Sequence, residues 1–152
     1  MKLDKEKNTL YMEGNLIKAT YDHIPQGKGK VSKDCFYQVA IKTAYDQAIA
    51  TELLNSFYAD AEAQYIPKWL VNSDCEDEVI CNFKSMYDIR WFIPDENGKY
   101  QNHSYKQALD HFGGVIPLGS KVTINVTCKE GALYIKALRF DQIASVSVEN
   151  YF

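Results

Sequence analysis

Long apolar runs are missing from this sequence. None approaches the roughly 18 residues that a bilayer-spanning helix needs, so no such helix is expected. The charged start, Met1 to Asn8, lacks the apolar stretch of a secretory signal, which predicts an intracellular, cytoplasmic chain. Close cysteine pairs are missing too. Cys35, Cys75, Cys81 and Cys128 show no C-x-x-C spacing, and His23, His103 and His111 are scattered. Structural zinc needs four ligands, normally in close pairs, so four free thiols and no metal are expected.

Catalytic signatures are equally absent. There is no G-x-x-x-x-G-K-[ST], no G-x-S-x-G and no H-E-x-x-H. Gly27 to Lys30 has the composition of a phosphate loop but does not precede a helix. Asp74, Glu76, Asp77 and Glu78 lack the alternating spacing of a calcium loop and read as a solvated acidic loop. Neither an enzyme nor a cofactor is expected. A large net charge is lacking as well: the balance is −3. It hides an uneven distribution. Residues 44–79 carry one positive and eight negative side chains, residues 14–43 five and two, and residues 80–144 eight and six. A local basic face is therefore compatible with an acidic total.

What the sequence has is aromatics, 20 in 152 residues, and an ordinary apolar fraction of 46%. One domain is expected over 1–144, followed by a tail at 145–152. Ile17, Ala19 and Tyr21 alternate with Lys18, Thr20 and Asp22, which predicts a half-buried strand. A basic loop, Gln26 to Lys33, follows. Tyr37, Val39 and Ile41 alternate with Phe36, Gln38, Ala40 and Lys42, a second strand. The period then changes: Ile49, Leu53 and Phe57 mark an amphipathic helix from about 44 to 66, ended by Pro67. Val79 to Phe92 reads as one long strand with a bend or bulge, since neither face is purely apolar. Residues 94–119 read as a long loop. Val122 to Cys128 and Leu133 onward form the closing hairpin, with a bulge near Ala137. A mainly β fold results, a five-stranded Greek-key, OB-like barrel. One long helix falls between strands 2 and 3 and a long loop between strands 3 and 4.

On this scheme Lys18, Phe36, Lys42, Lys121, Tyr134 and Lys136 face outward, and Lys84 and Arg90 share a parity on the long strand. Outward rings interleaved with Lys and Arg suit single-stranded nucleic acid. Phosphates attract the cations and unpaired bases stack on the rings. Lys28, Lys30 and Lys33 of the basic loop join this set as phosphate contacts. Phe36, Trp91 and Tyr134 are the stacking candidates. Each also has a core-packing reading, and for Trp91, flanked by Phe92 and close to Ile89, that reading carries equal weight.

Several short stretches carry a family resemblance. They are Ile17 to Tyr21, Phe36 to Ile41 followed by an alanine-containing helix, Phe83 to Ser85, Gly119 to Val122, and Leu138 to Ile143. Their layout resembles that of phage-encoded single-stranded-DNA-binding proteins of the OB-fold type. The resemblance implies a protein that coats single-stranded DNA in phage or prophage replication and recombination, in the host-cell cytoplasm. It also implies a tail that recruits replication or recombination proteins through a terminal aromatic, here Phe152. The tail departs from the family pattern in having one acid, Glu149. Val146 and Val148 serve equally as a sixth strand or a contact within a homo-oligomer. A second reading takes the acidic helix and loop as the working surface of a protein-binding module, such as a phage inhibitor that imitates DNA to a host nuclease.

Overall fold

The computed structural model describes residues 1–26, 30–59 and 66–145. Strict alternation shapes its clearest strand. In β7 (Lys121–Lys129), Val122, Ile124, Val126 and Cys128 are buried while Lys121 and Lys129 are exposed. The turn at Gly131, with φ +74°, reverses the chain into β8 (Ala132–Gln142). Lys136 is the extra residue of a bulge there, between the Val126–Ile135 and Asn125–Ala137 pairs, next to the irregularity expected at Ala137.

The protein is mainly β, and its described residues form eight strands in one sheet rather than five, and two α-helices rather than one. The remaining strands are β1 (Lys2–Asp4), β2 (Thr9–Gln26), β3 (Lys30–Ala44), β4 (Glu78–Ser85), β5 (Arg90–Pro94) and β6 (Tyr100–His103). Their hydrogen-bonded order is β4-β3-β2-β7-β8-β5-β6, with β1 on β2. All pairs are antiparallel except β5 with β8. Between β3 and β4 lie α1 (Gln47–Phe57) and a single 3-10 turn (Lys68–Leu70), and α2 (Tyr105–His111) follows β6.

Each departure from the sequence expectation has a local cause. The long strand over 79–92 breaks at residues 86–89. There the Ser85 hydroxyl accepts the Tyr87 N–H and donates to the Tyr87 carbonyl, replacing ladder bonds. The helix starts at Gln47 because the Asp46 carboxylate accepts the Ile49 N–H, an N-cap. It ends at Phe57, whose carbonyl accepts the Gly131 N–H at 2.6 Å. Residues 60–65 of the expected helix lie outside the described ones. The presumed loop over 94–119 holds β6 and α2. Ser104 and Gln107 cap α2 reciprocally, a capping box. The basic loop is shorter than expected: Gln26 pairs with Lys30 and Pro25 with Val31, so Lys30 and Lys33 stand in β3.

The core-facing set of β2 is also corrected. A register shift between Leu16 and Lys18 turns Leu16 inward at 0% exposure and leaves Ile17 at 37%. Beyond it Ala19 still packs on the core, but Tyr21 is 43% exposed. The core runs from Leu10, Met12 and Leu16 through Val39 and Ile41 to Ile124, Leu138 and Phe140, with Leu53 of α1 set against it. Cys75, Cys81 and Cys128 are free thiols, as expected, and Cys35's side chain lies outside the described ones. No helix among the described residues is long and apolar enough to cross a membrane.

Two outcomes follow from this packing. A Cβ on Gly14 would collide with the Lys42 carbonyl where β2 crosses β3. Gly14→Ala is therefore expected to cost about 1–3 kcal/mol through forced backbone shifts, measured by urea unfolding. Alkaline pH should also destabilise the fold. Burial raises the Cys81 thiol strongly, the Cys128 thiol to about 11 and the Tyr58 phenol to about 12. The unfolded chain ionises these groups first, so stability holds below their unfolded pKa values. It should fall from about pH 9 upward through the raised values, as thermal melting across pH 8–12 will show.

Candidate functional site

The outer face of β2, β3 and β4 is a grid set by register. Ala40 stands between Lys18 and Asn82, Gln38 between Thr20 and Lys84, Asp22 beside Phe36, and Lys42 beside Ile80. At the grid's centre Ala40 and Gln38 are buried, at 4% and 9% exposure, and Gln38 donates from Nε2 to the Asn82 side-chain oxygen at 3.1 Å. The Lys84 ammonium sits 5.5 Å from the Phe36 ring centroid, a cation–π contact. Four sequence candidates, Lys18, Phe36, Lys42 and Lys84, thus share one surface. Lys42 approaches Glu78 at 3.9 Å, whereas Lys18 and Lys84 form no ion pair among the described residues.

This face runs on into a two-stranded arm. Beyond Tyr37, β3 pairs among the described residues with β2 alone, because β4 ends at Ser85 opposite Tyr37. Lys30 and Lys33 lie on the arm's β3 strand. Their side chains, and Lys28 altogether, lie outside the described residues.

A second group stands on β8 and β5. Tyr134 is exposed, with the Lys129 ammonium 5.8 Å from its ring. Lys136 is exposed at the bulge, and exposed Arg90 is in register with neighbouring Ala137. Asn82, Phe83 and Lys84 of β4 share a hollow with Gly131, Ala132 and Leu133, so this group borders the first face. Lys121 does not join either group. It pairs with Asn15 and Gln142, at the opposite end of β7 from Lys129. Trp91 is excluded as a stacking platform. It is 0% exposed, with Phe140 stacked at 6.1 Å and Tyr105 at 5.8 Å, because its parity on β5 is that of core residues Ile89 and Ile93. Phe152 lies outside the described residues.

The sequence reading missed a tyrosine cluster at one end of the sheet. Tyr21 and Tyr37 face each other across β2 and β3 with centroids 4.5 Å apart, and Tyr105 of α2 packs 5.7 Å from Tyr37. Burial and the nearby Asp22 charge raise the Tyr105 phenol pKa. The Ser104/Gln107 spacing could have revealed α2, and with it Tyr105.

Also missed was Arg139, held by the Asp141 carboxylate at 2.7 Å and 6.0 Å from the Tyr100 ring centroid. The sequence pattern marks only Leu138 and Phe140 on this strand and sets Tyr100 in a loop.

No protein-family model matches the chain, and neither does any curated protein.

Two rings assigned the same role by sequence should now separate. Trp91→Ala is expected to cost about 3–5 kcal/mol of folding stability, and half-exposed Phe36→Ala distinctly less, in parallel urea titrations.

Proposed function

We propose that this protein binds single-stranded DNA irrespective of sequence on the outer face of β2, β3 and β4, in phage or prophage replication or recombination. The Phe36–Lys84 pair carries the reading: a half-exposed aromatic ring on the outer sheet face, with a cation over it and Lys18, without an ion pair among the described residues, on the same grid. Phosphates tracking Lys18, Lys84 and the arm would release counterions, and bases would stack on Phe36 and Tyr134. The barrel part of the proposal treats β4 and β5 as two halves of one kinked strand. That strand pairs with β3 through its first half and, in parallel, with β8 through its second, giving the five-stranded order of an OB-like barrel. Coating would be passive, keeping the strand from re-pairing. Replication or recombination proteins would be the partners, met through the tail, in the cytoplasm.

A second reading rests on a different hollow of about 690 Å³, lined by exposed Ile66, Val71 and Ile80 and edged by Asp74, Glu76 and Glu78, with Lys68 and the Glu78-paired Lys42 also at its rim. An acidic edge around aliphatic side chains suits a basic protein partner, as a DNA-imitating inhibitor would require.

Titration with labelled oligo-dT and with duplex at several salt concentrations separates the two. The first reading expects tighter binding to the single strand and affinity that falls with salt. Lys18→Glu with Lys84→Glu should flatten the slope of log K against log salt by about 0.7 for each lost contact. Phe36→Ala should weaken binding by roughly 1–3 kcal/mol. No binding at low salt and micromolar protein overturns the first reading.

A further inference from the structure

Farther along the sheet, on β7, β8 and β5, the outer face has a gap. Ala137 of β8 stands between Asn125 of β7 and Arg90 of β5, and its methyl group leaves the space beside it unfilled. The result is a hollow of about 280 Å³ bounded by Tyr11, Phe92, Tyr100, Asn125 and Arg139. That is the small end of the range for ligand pockets, fit for one or two fused rings and nothing larger.

Its walls are fixed. The Tyr100 hydroxyl donates to the Phe140 carbonyl at 3.0 Å, which sets the ring's orientation. Arg139 is gripped from two sides, its Nε donating to Asp141 at 2.7 Å and its guanidinium to the Thr123 hydroxyl at 3.3 Å. Thr123 in turn donates to the other Asp141 oxygen at 2.6 Å. Asp141 and nearby Glu13 offset the guanidinium charge, so the hollow offers little net attraction to a phosphate. It offers rings and one amide. The Asn125 side chain has no hydrogen-bond partner among the described residues, although it lines the hollow. A neutral planar heterocycle with donors and acceptors along its edge answers both features. The rings supply stacking surface and the amide a donor and an acceptor side by side.

We infer that this hollow is a nucleobase site, distinct from the group of Lys18, Phe36 and Lys84 and set beyond Asn15 on the same outward parity of β2. The inference does not require that group to bind DNA. The base can come from a free nucleoside or nucleotide, or from a strand that wraps past the first face. Ala137→Leu fills the hollow without touching its walls' hydrogen bonds, and Asn125→Ala removes the amide while leaving the space.

The test is two-dimensional NMR of the labelled protein with millimolar adenosine, cytidine, thymidine and adenosine 5′-monophosphate, and separately with oligo-dA and oligo-dT. Backbone signals of Tyr11, Asn125 and Arg139 are expected to shift with at least one base. Asn125→Ala should weaken that response at least tenfold, and Ala137→Leu should abolish it, with thermal melting within a few degrees of the parent. Shifts with free nucleosides identify a small-molecule source; shifts with the oligonucleotides alone identify a strand. Silence at these three residues in every titration overturns the inference, as does a response that survives Ala137→Leu. Shifts confined to Phe36 and Lys84 overturn it while leaving the proposed function standing. Shifts at the hollow with Phe36 and Lys84 silent do the reverse.

Discussion

The corner in β2 is the constraint on which the rest of the structure depends. Residues Thr9–Asn15 pair with β7, residues Asn15–Gln26 pair with β3, and Asn15 alone pairs with both. To pass from one partner to the other, the strand must press its backbone against the Lys42 carbonyl at Gly14, where a side chain has no room. It then opens its ladder at Ile17. The freed groups are not left to water: the Leu16 N–H donates to the Ser120 carbonyl at 2.9 Å, and the Leu16 carbonyl accepts the Gly119 N–H at 2.7 Å. The Thr43 hydroxyl adds a bond to the Glu13 carbonyl at 2.6 Å. Each substitutes for a ladder bond that the bend removes.

Because one strand serves two neighbours in turn, its outward side chains join two groups on either side of Asn15. The first, on β2, β3 and β4, combines cations and Phe36. The second, on β7, β8 and β5, combines rings, an amide without a hydrogen-bond partner among the described residues and a compensated arginine. The charge difference follows from which residues pair across strands. Lys18 and Lys84 meet uncharged neighbours, Ala40 and Gln38. Arg139 instead shares its surroundings with Asp141 and Glu13. One surface favours phosphates and the other favours neutral rings.

Strand existence was legible in the sequence wherever burial followed strict alternation, as in Val122 to Cys128. It was not legible where hydrogen bonds rather than side chains decide the path. The bulge at Ile17 put that residue out of phase, whereas Tyr21 and Tyr37 keep the parity of Ala19 and Val39 but stand at the sheet end, where Tyr21 is 43% exposed and the two rings meet. The break at 86–89 was signalled by mixed faces, but its cause, the Ser85 hydroxyl, carries no periodic trace. Phe36 and Lys84 were named separately; their contact depends on the β3–β4 register, which a single sequence does not state. Trp91 shows the opposite failure: the sequence weighed stacking and core packing equally, with Ile89 and Phe92 as its neighbours, and the structure sets it in the core in phase with buried Ile89 and Ile93. Arg139 and Tyr100 escaped notice because the parallel pairing of β5 with β8 brings together residues 39 apart in the chain.

The central claim is that a single strand of DNA lies across β2, β3 and β4 with a base against Phe36. Photochemical crosslinking of a bromodeoxyuridine-containing single strand, followed by mass spectrometry of the peptides, tests it most directly. The account predicts adducts on the segment containing Phe36, suppressed by salt and by unlabelled oligo-dT. Adducts absent from that segment, or confined to residues 66–80, would contradict it.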